Sequence, residues 1–292
     1  IRNNVTKSGA PGNRTPLNAI INNVQIKISE NKNIYQKKGS LSKLSLILYK
    51  KKVKKILKYF FEKYKFVRGD LNLNNRTGML HKCWGHIFSN HLFGDYIEFG
   101  VYKGDTLIQS VYQYQQFKTW LENQKKDEEE WRTKVALGSP LNKKIFFHGL
   151  DTFKGMPENN EKFFVFNKGN FEASFEEVEK RVAKLNEKIF LYKGLFAETA
   201  NQLKENLSGR KVSIANIDCD IYSSTVESLN IVNNYLQIGS IILLDDYNSF
   251  NADNNKGQRR AIAEFKIKGN WILEPFFSYM FSGQSFLICG RK

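Results

Sequence analysis

Apolar runs of four to seven residues recur from about position 95 onward, separated by polar stretches whose hydrophobic residues fall near helical spacing. The runs 95–100 (DYIEFG), 144–150 (KIFFHGL), 189–192, 212–217 (VSIANI) and 240–244 (SIILL) predict buried strands. Helices are predicted over 106–117, 174–186 and 225–236, with another following the fifth strand. Short strands at 271–274 and 285–289 close the chain as a hairpin. Such alternation predicts an α/β fold with a doubly wound, mostly parallel sheet and helices on both faces. Upstream the pattern changes. Residues 1–40 are rich in Asn, Lys, Ser, Gly and Pro and read as a flexible arm. Ser40 is placed to cap a helix to about residue 65, with Leu44, Ile47, Leu48, Ile56, Leu57, Phe60, Phe61 and Tyr64 near helical spacing. The expected organisation is therefore an arm (1–40), a basic amphipathic helical extension (41–79) and a catalytic domain (80–292). The charge-dense stretch 122–134 is expected to be an exposed helical extension.

The acids stand out against this pattern. Asp218 and Asp220 directly follow the fourth predicted strand, and Asp245 and Asp246 directly follow the fifth. In an open parallel sheet the carboxyl ends of neighbouring strands meet at one rim, where ligands bind. Like charges about 4 Å apart, at an effective dielectric near 20, cost roughly 4 kcal/mol per pair. A site that keeps such a cluster holds a cation or a proton, and oxygen-only ligands favour a hard ion such as Mg²⁺, Ca²⁺ or Mn²⁺. Strand-end capping by Asp is the alternative.

The other strand ends point to a nucleoside. Glu98, Gly100 and Gly104 leave the first strand, where glycine permits a sharp turn and close ligand approach. Their spacing is not GxGxxG, so a pyrophosphate cradle is poorly supported. Asp151 ends the second strand, a rim position at which an acid can accept ribose hydroxyls. Lys193 and Gly194 follow the third. A nucleoside without a diphosphate, such as S-adenosylmethionine, suits these three ends. His148 reads as a core or rim residue, and the spacing of His81, His86 and His91 is no metal motif. Arg259 and Arg260 open the helix after the fifth strand, available to an anionic acceptor group or to solvent. Tyr222 and Tyr247 are expected to pack near the acidic rim.

Charge divides the chain unevenly. Net charge is +16 over 292 residues, yet residues 1–68 hold 17 Lys and Arg against Glu30 and Glu62, a balance of +15. The rest is nearly neutral. The basic character thus belongs to a separable N-terminal region, suited to an anionic membrane surface, to nucleic acid, or to packing against the catalytic domain or a second subunit. Three scattered cysteines form no disulfide framework and no zinc pattern, which favours a reducing, cytoplasmic setting with peripheral membrane attachment open. No apolar stretch approaches the roughly 20 residues that span a bilayer. The chain opens on Ile1 rather than Met, so the native N-terminus is expected upstream and a missing signal peptide carries no weight.

Six segments taken in series resemble a known family. Residues 96–104 (YIEFGVYKG), 151–157 (DTFKGMP), 193–199 (KGLFAET), 217–225 (IDCDIYSST), 244–247 (LDDY) and 257–265 (GQRRAIAEF) resemble the macrocin O-methyltransferases of the TylF/MycF/NovP type. The resemblance covers about residues 80–292. It implies a seven-stranded, Rossmann-like class I methyltransferase fold that moves a methyl group from S-adenosylmethionine to a sugar hydroxyl. It further implies that Glu98, Gly100 and Gly104 line the methionine and ribose region, that Asp151 holds the ribose hydroxyls and that Lys193 and Gly194 border the adenine. Asp218, Asp245 and Asp246 match the family's ligands for Mg²⁺ or another divalent metal, and Asp220 matches its general base. Residues 154–175 resemble its lid. A longer 104–151 segment and an aromatic lid (Phe163, Phe164, Phe166, Phe171) depart from the pattern and bear on the acceptor, a glycan or small-molecule hydroxyl. A nicotinamide dehydrogenase shares such a sheet, but GxGxxG is missing and the next rim acid comes some 50 residues after Glu98, where that fold expects about 20. A nucleic-acid methyltransferase, a membrane-recruited protein that keeps only the fold, and a homo-oligomer joined through the N-terminal helix are the remaining alternatives.

Overall fold

The computed structural model describes residues 74–124, 144–161 and 163–292, all within the unit Lys63–Lys292. The expected arm, the basic helix over 40–65 and most of the acidic extension over 122–134 lie outside the described residues.

Seven strands form one sheet: β1 (Asp95–Phe99), β2 (Phe146–Asp151), β3 (Lys188–Lys193), β4 (Val212–Ile217), β5 (Ile241–Leu244), β6 (Trp271–Tyr279) and β7 (Gly283–Arg291). Their order is β3-β2-β1-β4-β5-β7-β6. β1 to β5 run parallel, while β7 pairs antiparallel with both β5 and β6. The closing hairpin is longer than its apolar cores at 271–274 and 285–289 suggest. Its strands extend through Pro275–Tyr279 and Gly290–Arg291, where alternation is broken by register shifts. β1 and β4 are buried along their whole length, with Asp95, Glu98 and Asn216 as the buried polar positions among their apolar and small residues.

Among the described residues, three helices cover each face. On one lie α1 (Arg76–Ser89), α2 (Asp105–Gln124) and α3 (Phe175–Val182); on the other lie α4 (Phe196–Asn206), α5 (Tyr222–Val232) and α6 (Gly257–Lys268). Alternation along each strand sends Tyr96, Ile214, Ile241 and Leu243 to the first core and Ile97, Ala215, Ile242 and Leu244 to the second. Two helices are absent from the periodic reading. In α1 the apolar positions Met79, Leu80, Cys83, Trp84, Ile87 and Phe88 are interrupted by three basic or imidazole side chains. Asn75 caps it, its Oδ1 accepting from Gly78 N at 2.7 Å, and the indole of Trp84 donates to Ser110 on α2 at 3.0 Å. α4 starts directly after β3, where the Glu198 carboxylate reaches back to accept from Leu195 N at 2.9 Å. Arg76–Met79 form the first turn of α1, and Met79 is buried in the first core.

A buried charge cluster locks the rim opposite the aspartates. Asp95 is fully buried and accepts from Arg210 Nε at 2.5 Å, Arg210 Nη2 at 2.6 Å and Phe146 N at 2.8 Å. His148 Nε2 lies 3.4 Å from the same carboxylate, and His148 Nδ1 lies 2.9 Å from the Tyr192 hydroxyl. Burial alone would raise the Asp95 carboxyl, but hydrogen bonds from Arg210, His148 and Phe146 outweigh it and hold it below its usual range. Burial, aided by Arg210, lowers His148 below its usual 6.5 despite the pull of Asp95. His148 is therefore a core residue that resists protonation.

Asp95→Asn leaves a buried guanidinium short of its counter-charge and is expected to destabilise the fold by about 3 kcal/mol or more, read from urea denaturation. The signs of pH dependence follow from the two shifts. The unfolded chain protonates His148 near its ordinary value while the folded one resists, so stability falls as pH drops from about 7 to 5. His148→Gln is expected to flatten that slope. Asp95 contributes stability above its unfolded value and loses it only at more acid pH, as its depressed folded value is crossed.

Candidate active site

The direction of the sheet reverses between β1 and β4. The chain winds outward through β2 and β3, then crosses back to lay β4 against β1. The turns leaving these two strands diverge to opposite faces, which opens a crevice at their carboxyl ends. Gly100 makes the crevice possible. It has φ +91°, and a Cβ there would stand 1.8 Å from the Asp218 carbonyl oxygen. The close approach lets Asp218 N donate to Phe99 O at 2.9 Å, fixing the first acid relative to the β1 turn.

A cleft of about 260 Å³ fills this rim. Gly100, Val101, Tyr102, Asp151, Leu195 and Phe196 line its nucleoside side, and Arg76, Asp218, Cys219, Asp220 and Ser224 line its acidic side. Asp151 is held rigidly, accepting from Tyr102 N at 2.7 Å and Phe153 N at 2.6 Å. Burial raises its carboxyl and these backbone donors offset the rise in part. The other expected nucleoside residues sit elsewhere. Glu98 lies under the floor, where its carboxylate accepts from the Tyr96 hydroxyl and from Asn216 Nδ2 at 3.4 Å. Burial pushes it up to about 8, against the hydrogen bonds of Tyr96 and Asn216 and the charge of Arg76. Its Oε1 has no partner among the described residues. Gly104 backs onto Val178 of α3. Lys193 turns outward, its Nζ 3.6 Å from Glu176, and Gly194 N donates to Asp151 O at 3.0 Å.

The four aspartates fall into two sets. Asp218, Asp220 and Asp246 each present one carboxylate oxygen within 4.8 Å of the other two, a spacing that fits a metal ion. Asp245 faces the other way: its Oδ2, like that of Asp218, lies near Arg76 Nη2, at 3.7 and 3.6 Å. Backbone bonds fix the group. Asp245 N donates to Ile217 O at 3.2 Å, Asp246 N to Gln258 Oε1 at 2.9 Å, and Gln258 Nε2 to Ile217 O at 3.0 Å. Ser249 donates to Asp246 Oδ1 at 3.1 Å, while the buried Asp246 Oδ2 has no partner among the described residues. Asp220 has φ +64°, a conformation Asp tolerates better than most side chains.

Burial is the main cause that raises all four carboxyls. Asp218 is pushed well up by burial and then by Asp245, Asp246 and Asp220; Asp220 by burial and then by Asp246 and Asp245. Asp245 rises to about 6 through burial and Asp246, restrained by Arg76. Asp246 rises through burial and is partly relieved by Asp220 and Ser249. In the cation-free protein the cluster therefore shares protons.

Gly155, Met156, Pro157 and Phe171, from the segment expected to form a lid, line the cleft. Met156 and Phe166 pack on Ile221 and Phe250, with Phe163 and Val165 beside them. Glu161 secures this segment: one carboxylate oxygen accepts from Tyr222 N at 2.5 Å and the other from Gly257 N at 2.8 Å. These are the first residues of α5 and α6, neither of which has a side-chain cap of its own. Arg76 and Glu161 escape the motif reading because no local pattern announces them, although Asn75 before Arg76 is a helix-start signal. Arg259 is bound to Asn254 and Asn248, each at 2.8 Å, and lies over Tyr247. Arg260 pairs with Glu264 at 2.9 Å and lies over Tyr222.

The family model described as macrocin-O-methyltransferase (TylF) matches residues 134–278. No curated protein matches the chain. Among solved structures, the O-methyltransferase NovP aligns over 72% of this chain and 78% of its own, at 17% identity and a TM-score of 0.53. The calicheamicin methyltransferase CalS11 aligns over 74% and 81%, at 20% identity and a TM-score of 0.49. At such identities the likeness is one of fold.

Glu161→Ala is expected to cost about 1–2 kcal/mol, as for loss of helix N-caps. It should also expose the closing segment, read as faster tryptic cleavage at Lys168. Unchanged cleavage and stability would mean that the carboxylate does not hold the segment.

Proposed function

We propose that the chain, whose residues 134–278 match the family model of the macrocin O-methyltransferases (TylF), moves a methyl group from S-adenosylmethionine to a hydroxyl of a sugar or glycosylated small molecule, with a divalent cation such as Mg²⁺ at the aspartate rim. One observation carries this reading: a rigid carboxylate suited to ribose (Asp151) lines one cleft with Asp218 and Asp220, two members of a metal-spaced carboxylate triad, and the Gly100–Asp218 contact joins the two sides. O-methylation is also the activity that the names macrocin-O-methyltransferase and O-methyltransferase NovP carry.

The donor set fits a hard cation: three oxygens from three carboxyls, one of them carrying a buried, unpartnered atom on Asp246. When bound, S-adenosylmethionine supplies an already activated methyl group and a divalent ion supplies positive charge to an acceptor oxygen. The protein has the remaining tasks. Asp151 orients the nucleoside through a carboxylate that its own backbone donors hold in place. Asp218, Asp220 and Asp246 would hold the ion. Asp220 also lines the cleft and stands where it can take the acceptor proton, a role that typically contributes about 10²–10⁴-fold. Holding acceptor oxygen, methyl carbon and sulfur in line lowers the entropic cost of reaction. The closed aromatic segment excludes water and strengthens local electrostatics.

No described helix is long and apolar enough to cross a membrane. A screen of sugar acceptors with added Mg²⁺ and a chelator control tests the activity directly. Asp218→Asn is expected to abolish metal-dependent turnover and to leave calorimetric binding of S-adenosylmethionine within about threefold, since one carboxylate of a charge-assisted set is lost. Normal methylation by that variant would remove the metal from the mechanism. The pH dependence has a definite sign. Raised carboxyls must lose protons to take the ion, so Mg²⁺ affinity is expected to fall as pH drops through the range, above that of an ordinary carboxylate, in which Asp218, Asp220 and Asp246 take up protons. Calorimetry in buffers of different ionisation enthalpy should show proton release on binding.

A further inference from the structure

Arg76 reaches the acidic rim from outside the sheet, and its position is built rather than incidental. It is the first residue of α1, whose start is fixed by the Asn75 cap and whose next turns are buried through Met79, Leu80 and Cys83. Its Nη2 stands between Asp218 Oδ2 at 3.6 Å and Asp245 Oδ2 at 3.7 Å. Its Nε is buried and has no partner among the described residues. These distances exceed the 2.7–2.9 Å of charge-assisted hydrogen bonds. Arg210 makes the contrast within the same chain, gripping Asp95 with a two-pronged fork at 2.5 and 2.6 Å. Arg76 therefore balances charge without being locked to either carboxylate.

Asp218 belongs to both groups at the rim, the Arg76 pair and the triad with Asp220 and Asp246. A cation at the triad and the guanidinium then draw on the same carboxylate. We propose that Arg76 is the rim's resident counter-ion, which holds Asp218 and Asp245 while the triad is empty and competes with a divalent cation for Asp218. The proposal rests on the reading that the triad takes such a cation. It assigns Arg76 a positioning role, setting how much metal is needed before the cleft is charged for reaction.

Removing a unit positive charge about 6 Å from a dication relieves repulsion worth roughly tenfold in affinity even at the dielectric of water. The full chain and its Arg76→Gln and Arg76→Lys variants are titrated with Mn²⁺, with free metal read by electron paramagnetic resonance. The Gln variant is expected to bind about tenfold or more tighter, and the Lys variant, which keeps the charge, within about threefold of the parent. A merely structural Arg76 would not raise metal affinity when removed. Equal or weaker binding by the Gln variant overturns the proposal, as does absence of Mn²⁺ binding in all three proteins. If the Gln variant does not fold, the parent decides: the Arg76 Nε–H signal in ¹⁵N spectra should move on titration with Mg²⁺, and a static signal overturns the idea. Calorimetry with S-adenosylmethionine on the same samples separates the two readings. Cofactor binding without any Mn²⁺ response sinks the counter-ion and leaves methyl transfer standing.

Discussion

Four carboxyl groups at the ends of β4 and β5 cannot all remain ionised and unpaired, and most of the surrounding architecture responds to that constraint. Buried like charges at such spacing raise one another's proton affinity, which is the direction found for Asp218, Asp220, Asp245 and Asp246. The chain supplies three kinds of relief. Asp220 beside Asp246, and Asp218 beside Asp245, form pairs in which a proton taken up by one relieves the other. Ser249 donates a hydroxyl to Asp246. Arg76 brings a guanidinium from the opposite side. None of these satisfies Asp246 Oδ2, and a rim that stores protons and still leaves a buried acceptor open is one in which added positive charge is favourable.

The same rim governs closure. α5 begins two residues after Asp220, and α6 begins in the loop that follows Asp246 and carries Gln258, the acceptor for Asp246 N. Glu161 binds the first N–H of both helices, so one side chain from the closing segment touches both aspartate-bearing turns. Helix N-termini carry partial positive charge, and an anion there is stabilised by both. The aromatic cluster of Phe163, Phe166 and Phe250 adds apolar contact to that polar anchor. Closure and the geometry of the acids are thus coupled through two helix starts. Two other aromatics stay separate from that anchor: Tyr102 and Phe171 meet edge to face at the cleft wall, their rings 5.9 Å apart.

Much of this was legible in the sequence, and the exceptions have physical causes. The parallel strands announce themselves because both faces are buried, so VSIANI and SIILL need no alternation to be read. The acids after them follow from strand-end position alone. α4 is missed because its apolar positions are few and its start depends on Glu198 folding back to Leu195 N, a contact between side chain and backbone that composition does not display. The inward or outward direction of Lys193 and Glu98 depends on which face each strand turns to the cleft. Glu98 shares the α1 face with Tyr96 and goes under the floor, while Lys193 finds Glu176 and the Phe175 ring outside it. Sorting the aspartates between a triad and an arginine required coordinates, because Asp245 and Asp246 lie in the turn after β5, where strand alternation no longer sets the direction of a side chain.

That last point also explains why one short motif can serve two purposes. In the turn after β5 the Asp-Asp pair offers its two carboxylates to different partners. Asp245 lies beside Arg76 of α1, while the Asp246 carboxylate accepts from Ser249 and its backbone N–H donates to Gln258 of α6. Asp218, directly after β4, meets both Arg76 and the triad. A strand pair with a single acid at each end could bind an ion or an arginine, and not tune one against the other. Doubling the acid on β5 keeps the charge of the rim adjustable from the face that α1 covers, while the face that α5 and α6 cover, where the closing segment docks, holds the geometry fixed.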